Sequence, residues 1–339
     1  MKALAMTGFG SSDTFRLIDT QVPIPQENQV RIRIKAAGFN PVDWKIREGW
    51  YKDYGSDDKQ ILGCDCSGII DAVGPHVKEF NVGDEVYAMT FLRSSNGSYA
   101  EYSCVPIELV YKKPSHLTFE EAAAVPLAAM TALRATSAGI PFRKEDAVLI
   151  VGVGGGVGSF AIQCIQGAGV EKIFTVAKNE SSADYLVKHL GIPRSHIVLY
   201  QGVSFEELKK QLLALNGGRF FNATIDLVGK EMKKLCLDLT GYSGHFSTIV
   251  PEKDFNYPTW NENATPRMRN ASLLQVMVGA ELASLDRSDW KIYQQHFKQI
   301  SNLKVPHIQV VGSLSVQTVQ KAHALLEDGS VKGKLVMII

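Results

Sequence analysis

A glycine-rich turn at residues 148–158, VLIVGVGGGVG, restricts the possible folds of this chain more than any other segment. The apolar residues before it predict a buried strand, and the residues after it predict a helix over 159–167. Glycine lets a backbone approach a pyrophosphate without a Cβ in the way, and the free N–H groups of a helix N-terminus favour its negative charge. This spacing between a strand and a helix predicts a dinucleotide site, with a tight turn that binds nothing as the alternative. The residues expected to form the site are Gly152, Gly154, Gly155, Gly156, Val157 and Gly158.

The residue after the next predicted strand bears on which dinucleotide binds. An NAD site usually has an Asp or Glu there, which accepts a hydrogen bond from the ribose 2′-hydroxyl. Here the run FTVA at 174–177 ends at Lys178, a cation where the 2′-phosphate of NADP would lie. The sequence therefore favours NADP(H), although Glu180 lies close by and a lysine after a strand is often only solvated.

The chain divides into a β-rich part and a part in which strands and helices alternate. Residues 1 to about 120 contain runs such as 30–34 and 66–73 that predict a compact, partly open β-barrel. A helix is predicted over 119–125 behind Thr118, and the alternation that follows predicts a doubly wound parallel sheet. The irregular segment 251–269 predicts a long loop, with a lid over a ligand as one interpretation. The predicted sheet strands are 147–151, 172–177, 197–199, 222–227, 245–250 and 274–279; a strand, a helix and a strand follow at 308–311, 315–327 and 334–338.

Composition and charge exclude several classes of partner. The 339 residues carry a net charge of +1, from 36 basic and 35 acidic residues, which leaves no electrostatic footprint for nucleic acid or an anionic membrane. The glycine cluster inside the uncharged segment 147–170 argues against a membrane-spanning helix. Five scattered cysteines are typical of reduced thiols, and the N-terminus turns to Gly and Ser too early for a secretion signal. We therefore expect a cytoplasmic protein with a small-molecule partner, no nucleic acid and no membrane.

Several ordered motifs resemble one family over nearly the whole chain. Besides the glycine turn they are KAAGFNPVDWKIREG (35–49), GCDCSGIIDAVG (63–74), VGDEVYA (82–88), GSYAEY (97–102), AAAVPLAAMTALRA (122–135), IDLVG (225–229) and HALLEDGSVKGKLVMII (323–339). The chain resembles a medium-chain dehydrogenase/reductase of the zinc-independent quinone oxidoreductase type, near the chloroplast-envelope quinone oxidoreductase homologues and plant enone oxidoreductases. The resemblance implies a GroES-like β-barrel catalytic domain from residues 1–122 and 303–339 and an α/β Rossmann NADP(H)-binding domain from 123–302. It also implies a homodimer formed through the Rossmann sheets.

The same resemblance raises the question of a metal. Zinc-dependent relatives have a ligand Cys where this chain has Asn40, a ligand His where it has Cys64, and a third ligand near Leu127. A catalytic zinc needs three protein ligands and an open fourth position, which Cys64 with a neighbouring Asp65 would not supply. Cys64 and Cys66 would point to opposite faces of a strand and would not readily chelate one ion. We therefore expect no metal and inert, buried thiols, with incidental metal binding or a reactive Cys64 as alternatives.

Without a Lewis acid, the expected chemistry is reduction of a quinone or an activated double bond rather than oxidation of a simple alcohol. NADPH would deliver hydride, and hydrogen-bond donors would stabilise the negative charge that develops on the carbonyl oxygen. By family position the catalytic candidates are Asn40 as an amide donor, Lys45 as enolate stabiliser or proton donor, and Asp43 as the group that orients Lys45 or its neighbours. Many related quinone oxidoreductases have a tyrosine at the position of Lys45. The alternative is a surface lysine beside a turn-forming Asn-Pro.

The resemblance implies further contacts with the cofactor. Thr131 would lie near the nicotinamide, although a hydroxyl within a helix also bonds back to its own helix. Tyr200 would lie near the 2′-phosphate, and Ser181, Ser182 and Arg194 are further candidates for contacts with the same group.

Two other functions stay open at this point. One is an enoyl-thioester reductase, in which the loop 251–269 with Arg267 and Arg269 would bind a phosphopantetheine arm. The other is a catalytically silent, NADPH-binding protein of the crystallin type.

Overall fold

The computed structural model describes residues 1–52, 59–90, 97–137, 140–252, 271–284 and 287–339. Contacts between Cα atoms divide it into two compact units, Met1–Met130 with Gly279–Ile339, and Thr131–Val278. The strands in these ranges are β1 (Lys2–Met6), β2 (Phe15–Asp19), β3 (Gln29–Gly38), β4 (Asp65–Val73), β5 (Glu85–Met89), β6 (Tyr102–Pro106), β7 (Val110–Lys112), β8 (Ala147–Val151), β9 (Lys172–Ala177), β10 (Ile197–Leu199), β11 (Phe221–Asp226), β12 (Thr240–Thr248), β13 (Ser272–Gln275), β14 (Ile308–Ser313) and β15 (Lys334–Ile338). The helices are α1 (Pro41–Arg47), α2 (Phe119–Ala123), α3 (Pro126–Ser137), α4 (Gly156–Gly167), α5 (Glu180–Leu190), α6 (Phe205–Leu215), α7 (Glu231–Leu239), α8 (Val278–Ser284), α9 (Lys291–Ile300) and α10 (Val316–Glu327).

The first unit is built on a mainly antiparallel sheet in the order β14, β15, β3, β4, β5, β7, with β6 also paired to β3. Two register shifts against β4 bend β3, which is why one long strand pairs with β4, β6 and β15. The core includes Leu4, Phe15, Phe39, Tyr99 and Met337. This is the predicted GroES-like sheet, and the pairing of β15 with β3 brings the C-terminal strand beside the start of α1.

The second unit contains a parallel sheet in the order β10, β9, β8, β11, β12, β13. All five residues of β8 are buried, as expected for a central strand of a doubly wound sheet. The predicted Rossmann fold is therefore confirmed, and β8, β9 and β10 have the bounds that the sequence predicted. The uncharged segment 147–170 is a strand, a turn and a helix, and no helix in the described ranges is long and apolar enough to cross a membrane.

Several elements differ from their predicted bounds, most by one or two residues, and three differ by more. The strand predicted over 274–279 ends at Gln275 and is followed by α8, because only the first residues pair with β12. The strand predicted over 245–250 begins at Thr240 and ends at Thr248, since residues between Thr240 and His245 form an irregularity in its pairing with β11. The helix predicted over 159–167 begins at Gly156. The predicted loop 251–269 falls outside the described residues from 253 onward.

The sequence assigns the segment 279–302 to the Rossmann domain. In the structure, this segment belongs to the first unit. Phe297 of α9 lies 5.7 Å from Tyr87 and 5.9 Å from Tyr111, measured between ring centroids. These aromatic contacts account for the grouping.

Candidate functional site

The glycine turn joins β8 to α4 in the second unit. Gly152 has a φ of +86°, which favours glycine, and a Cβ there would meet Val228 Cγ2 at 2.8 Å. A Cβ at Gly158 would lie 2.4 Å from the Gly152 carbonyl oxygen and 2.4 Å from the Val153 Cα. The close packing of the turn against the helix therefore requires Gly152 and Gly158.

Gly154 and Gly155 have room beside them instead. A Cβ would find its nearest neighbour among the described residues at 3.9 Å from Gly154 and at 3.8 Å from Gly155. Gly155 is the N-cap of α4, and it has no side chain to accept from the first amides of the helix, which begin with Gly156 and Val157. Open space in front of such amides is what a pyrophosphate requires, so this turn fits a dinucleotide.

The candidates for the 2′-phosphate lie at the same edge of the sheet. Because β9 pairs with β8 and β10 with β9, their carboxyl ends share the edge from which the turn leaves. Tyr200 donates its N–H to the Ala177 carbonyl at 3.0 Å, and Gln201 donates to that of Lys178 at 3.1 Å. Lys178 and Ser181 are exposed, and Tyr200 is half-buried against the core. The fold thus brings these three predicted residues together.

Glu180, the acidic residue near this edge of the sheet, forms an ion pair with Arg194. Arg194 donates to both Glu180 oxygens, from Nη2 at 2.8 Å and from Nε at 3.2 Å. Ser182 donates its N–H and its hydroxyl to Asn179 Oδ1, each at 3.1 Å, which caps α5. Thr131 lies half-buried in α3. Arg194 and Ser182 are therefore engaged in local bonds, and the negative charge of Glu180 is compensated.

In the first unit, the predicted Asn-Pro motif forms the start of α1. Pro41 occupies the first helical position, where its missing N–H costs nothing. Asp43 Oδ2 accepts the main-chain N–H of Asn40 at 2.8 Å. Asn40 and Asp43 are 4% and 0% exposed, so this helix start holds two polar side chains inside the protein.

The Asn40 side chain lies between a buried carboxylate and a buried ammonium. Its Nδ2 donates to Asp65 Oδ2 at 2.8 Å, and its Oδ1 accepts from Lys334 Nζ at 2.7 Å. Lys334 Nζ also donates to the Phe39 carbonyl at 2.9 Å and to Asp65 Oδ2 at 3.2 Å. Asp65 Oδ1 accepts the main-chain N–H of Leu127 at 2.7 Å. We call Asn40, Asp65 and Lys334 the amide triad.

Asp43 binds a second set of donors beside the amide triad. Its Oδ1 accepts from Cys64 Sγ at 3.0 Å, and its Oδ2 accepts from the Tyr99 hydroxyl at 2.9 Å. The Tyr99 oxygen lies 3.4 Å from His323 Nε2, and His323 is buried against Phe15 and Tyr99. Asp43 therefore orients Asn40, Cys64 and Tyr99.

Burial dominates the electrostatics of these groups. It raises the pKa of the Asp43 carboxyl to about 6, and the bonds from Cys64, Asn40 and Tyr99 oppose that effect. It also raises the pKa of Asp65, against the opposing effect of the Lys334 ammonium. Burial and the nearby Asp43 raise the pKa of the Cys64 thiol well above its ordinary value. Such a thiol keeps its proton at neutral pH, which makes Cys64 a poor nucleophile.

Lys45 contacts the aromatic rings beside α1. Its ammonium sits over two indole rings, 5.6 Å from the centroid of Trp44 and 5.2 Å from that of Trp50. Attraction to the ring faces holds the cation there. Of the three predicted catalytic residues, the fold brings Asn40 and Asp43 together and turns Lys45 towards the tryptophans.

The donor set around Asn40 does not resemble a metal centre. Across the ranges that the structure describes, no group of three or more His, Cys, Asp or Glu side chains is placed to hold a metal ion. The resemblance places zinc ligands at Asn40, at Cys64 and near Leu127. Here Asn40 is an amide, the Cys64 thiol donates to Asp43, and the Leu127 main chain donates to Asp65. These groups satisfy one another with hydrogen bonds.

Sequence reasoning missed Tyr99 and Lys334. Lys334 lies 294 residues from Asn40 along the chain and reaches it where β15 pairs with β3. Tyr99 lies 56 residues from Asp43 and reaches it through its hydroxyl. The one available signal was a lysine that opens an apolar strand, KLVMI, because a lysine is rarely buried unless it is paired.

Asp43 should make stability depend on pH. Its pKa in the folded state, about 6, lies above the ordinary value of 3.8, so the folded protein binds this proton more tightly than the unfolded chain. This stabilisation is complete below pH 3.8 and is lost as the pH rises through 6. The free energy of unfolding falls by about 3 kcal/mol over that range. We expect Asp43→Asn to remove that slope from the free energy of unfolding, measured by urea denaturation at a series of pH values. Parallel pH profiles for the wild type and the variant would contradict the assignment.

Comparisons with known proteins agree with this architecture. The family described as alcohol dehydrogenase GroES-like domain matches residues 26–115. The chain is 36% identical over 242 residues to 2-methylene-furan-3-one reductase of Solanum lycopersicum, which covers 69% of this chain and 58% of that protein. It is 36% identical over 185 residues to quinone oxidoreductase of Sus scrofa, which covers 53% of this chain and 54% of that protein. The matched regions thus span little more than half the length of both relatives.

A solved structure matches over the full length. The alcohol dehydrogenase superfamily protein from Novosphingobium aromaticivorans superposes with a TM-score of 0.85 at 25% identity and covers 100% of both chains. Its similarity of fold therefore extends through both units.

Proposed function

Since the chain belongs to the medium-chain dehydrogenase/reductase superfamily, we propose that it is a zinc-independent, NADPH-dependent reductase of quinones or α,β-unsaturated carbonyls. The observation that carries the proposal is the amide triad. It puts a buried, oriented amide donor where metal-dependent relatives put a zinc ligand. A hydrogen-bond donor suits a reduction in which charge develops on a carbonyl oxygen, whereas alcohol oxidation needs a group that lowers the hydroxyl pKa.

Each part of the proposed reaction has its own residues. Bound NADPH would supply the hydride. The glycine turn would hold the pyrophosphate through the amides that begin α4. Asn40 would donate an N–H to the carbonyl oxygen, and Asp43 would position Asn40 through the main-chain bond at 2.8 Å. Lys45 would supply the proton that completes the reduction.

The preference for NADP(H) is supported at the ends of β9 and β10. Lys178, Ser181 and Tyr200 share that edge, with Lys178 as the cation for the 2′-phosphate. Glu180, the acid that would favour NAD, is engaged by Arg194. Thr131 is proposed to contact the nicotinamide.

The proposed domains are 1–122 with 303–339 and 123–302, in a cytoplasmic homodimer. β13 is an edge strand of the parallel sheet, and Leu273 on it is 43% exposed. Pairing of this edge with that of a second copy would cover it.

The proposal is tested by NADPH oxidation with quinones, enones and enoyl thioesters, with and without a chelator. We expect turnover of quinones or enones that a chelator leaves unchanged. A chelator that abolishes turnover would refute zinc independence. Turnover of enoyl thioesters alone would favour the thioester reductase, and tight NADPH binding without any turnover would favour the silent, crystallin-like protein.

Two variants locate the chemistry. Asn40→Ala should lower kcat by roughly 100-fold, the usual cost of removing one donor to a developing oxyanion, and Lys45→Ala should slow the proton transfer. Asn216→Ala is the matched control, because Asn216 is also a buried asparagine but its Nδ2 bonds Arg219 and Phe220 carbonyls at the end of α6. Wild-type rates in both Asn40→Ala and Lys45→Ala would refute the site.

Lys178→Ala should raise the Kd for NADPH about 10-fold and leave the Kd for NADH nearly unchanged, because only NADPH carries the 2′-phosphate. Lys172→Ala is the control, since Lys172 is an exposed lysine at the opposite end of the same strand. Both constants are measured by quenching of tryptophan fluorescence. Equal losses for the two dinucleotides would contradict the role of Lys178.

A further inference from the structure

The Lys334 ammonium uses all of its hydrogen-bonding capacity on groups around Asn40. A lysine has three N–H donors. They go to the Phe39 carbonyl at 2.9 Å, Asn40 Oδ1 at 2.7 Å and Asp65 Oδ2 at 3.2 Å. The side chain is 5% exposed, so these partners replace nearly all of its water. Such burial of a charge is sustained only by full pairing.

We propose that Lys334 is a positioning residue for catalysis, whose ammonium fixes the direction of the Asn40 carboxamide and thereby aims its remaining N–H at the substrate. This inference rests on the proposed function, in which Asn40 donates to the carbonyl oxygen. Asn40 Nδ2 has two hydrogens, and one goes to Asp65. Among the described residues, Asn40 Nδ2 makes no second hydrogen bond, which leaves the other hydrogen for a substrate.

The charges on either side of the amide give it one orientation. With Oδ1 towards Lys334 and Nδ2 towards Asp65, both bonds are charge-assisted. A flip about the terminal bond would place the NH2 group against the ammonium and the carbonyl oxygen against the carboxylate. Both contacts would become repulsive, so the cation and the anion together select the orientation that presents the N–H.

The ammonium also strengthens the donor that it orients. A cation bonded to Oδ1 withdraws electron density from the carboxamide and makes its N–H hydrogens more positive. In a buried site this polarisation is little screened by water. Lys334 therefore favours the negative charge of the transition state through Asn40, without touching the substrate itself.

Asp65 makes this arrangement electrically neutral. It balances the Lys334 charge and accepts the Leu127 N–H, which fixes its own carboxylate against the start of α3. The starts of β15, β4 and α1 thus meet at one amide. If Lys334 had a purely structural role, it would only have to join these three elements. It would not have to fix which end of the Asn40 carboxamide faces the ammonium.

The experiment is a double-mutant cycle on kcat and KM with an accepted quinone or enone. Lys334→Met should lower kcat by roughly 10- to 100-fold with KM little changed, because the donor acts mainly on the transition state. Asn40→Ala combined with Lys334→Met should be no slower than Asn40→Ala alone, since Lys334 acts through Asn40. Independent effects that multiply in the double variant, or a wild-type kcat in Lys334→Met, would overturn the proposal.

Lys113→Met is the matched control for a lost buried ammonium. Lys113 has the same 5% exposure, and its Nζ bonds the Leu117 carbonyl at 2.6 Å and Glu85 at 3.1 Å. This variant should lower the melting temperature while keeping the wild-type kcat. If Lys334→Met fails to fold, the pair Lys334→Met with Asp65→Asn removes both charges and keeps the volume, and the same cycle is run on that background.

A readout independent of turnover separates this inference from the proposed function. The side-chain amide signals of Asn40 in ¹⁵N NMR, assigned by their loss in Asn40→Ala, should shift in Lys334→Met and stay in place in Lys113→Met. Shifted signals in a protein that turns over no electrophile would refute the proposed function but keep the orientation of the amide. Unshifted signals would refute the inference whatever the activity.

Discussion

Gly155→Ala should lower NADPH affinity by about 30-fold or more while changing the stability of the fold by no more than about 1 kcal/mol. The backbone at this position, with φ −83° and ψ 176°, suits alanine, and the nearest atom to a Cβ would be the Gly152 carbonyl oxygen at 3.8 Å. The fold therefore accepts the methyl group. A pyrophosphate bonded to the first amides of α4 would not, because the methyl occupies the space through which it approaches.

Two other glycine substitutions act as controls for Gly155→Ala. Gly158→Ala should lower both stability and affinity, since its Cβ would lie 2.4 Å from main-chain atoms of Gly152 and Val153. Gly167→Ala, in the same helix, meets nothing among the described residues within 4 Å and should keep full affinity with a small gain in stability. Affinity is measured by fluorescence quenching and stability by thermal unfolding. Unchanged affinity in Gly155→Ala would show that no pyrophosphate lies at this turn.

The parallel sheet was predictable because its strands are short, buried and interrupted by clear signals. Residues 147–151, 172–177 and 197–199 are apolar runs, and each was predicted with its observed bounds. The prediction was wrong at 274–279, where an exposed edge strand is weakly specified by pattern and α8 begins after it. A strand that is buried on both faces is a continuous apolar run and can be predicted from the sequence. An exposed edge strand has no such run.

The site was only half predictable, for a different reason. Asn40 and Asp43 are three residues apart at a helix start, so a local motif encodes their association. Lys334 contacts Asn40 across a sequence separation of 294 residues, and that contact exists only because β15 pairs with β3. Lys45 is one helical residue beyond Trp44, and its position over the indoles depends on where Trp50 folds back. The local sequence pattern therefore predicts Asn40 as a donor. The charged partners of Asn40 depend on the pairing of strands that are distant in sequence.

Asp65→Ala should destabilise the protein by about 3–5 kcal/mol, because it leaves the Lys334 ammonium buried without its counter-ion. It also leaves the Leu127 N–H and one Asn40 N–H without their acceptor. The free energy of unfolding is measured by urea denaturation. A loss of this size would make Asp65 one of the most sensitive positions in the first unit.

The control for Asp65→Ala is Asp71→Ala on the same strand, β4. Asp71 pairs with Arg31 at 2.8 Å, but the two side chains are 29% and 21% exposed, so the loss should stay below about 1 kcal/mol. Adding Lys334→Met to Asp65→Ala should restore part of the lost stability, since the unpaired ammonium is then gone. If Asp65→Ala costs no more than Asp71→Ala, or if the added Lys334→Met destabilises further, the carboxylate does not hold Lys334 as an ion pair. The orientation of Asn40 would then have to come from the main chain of α1 alone.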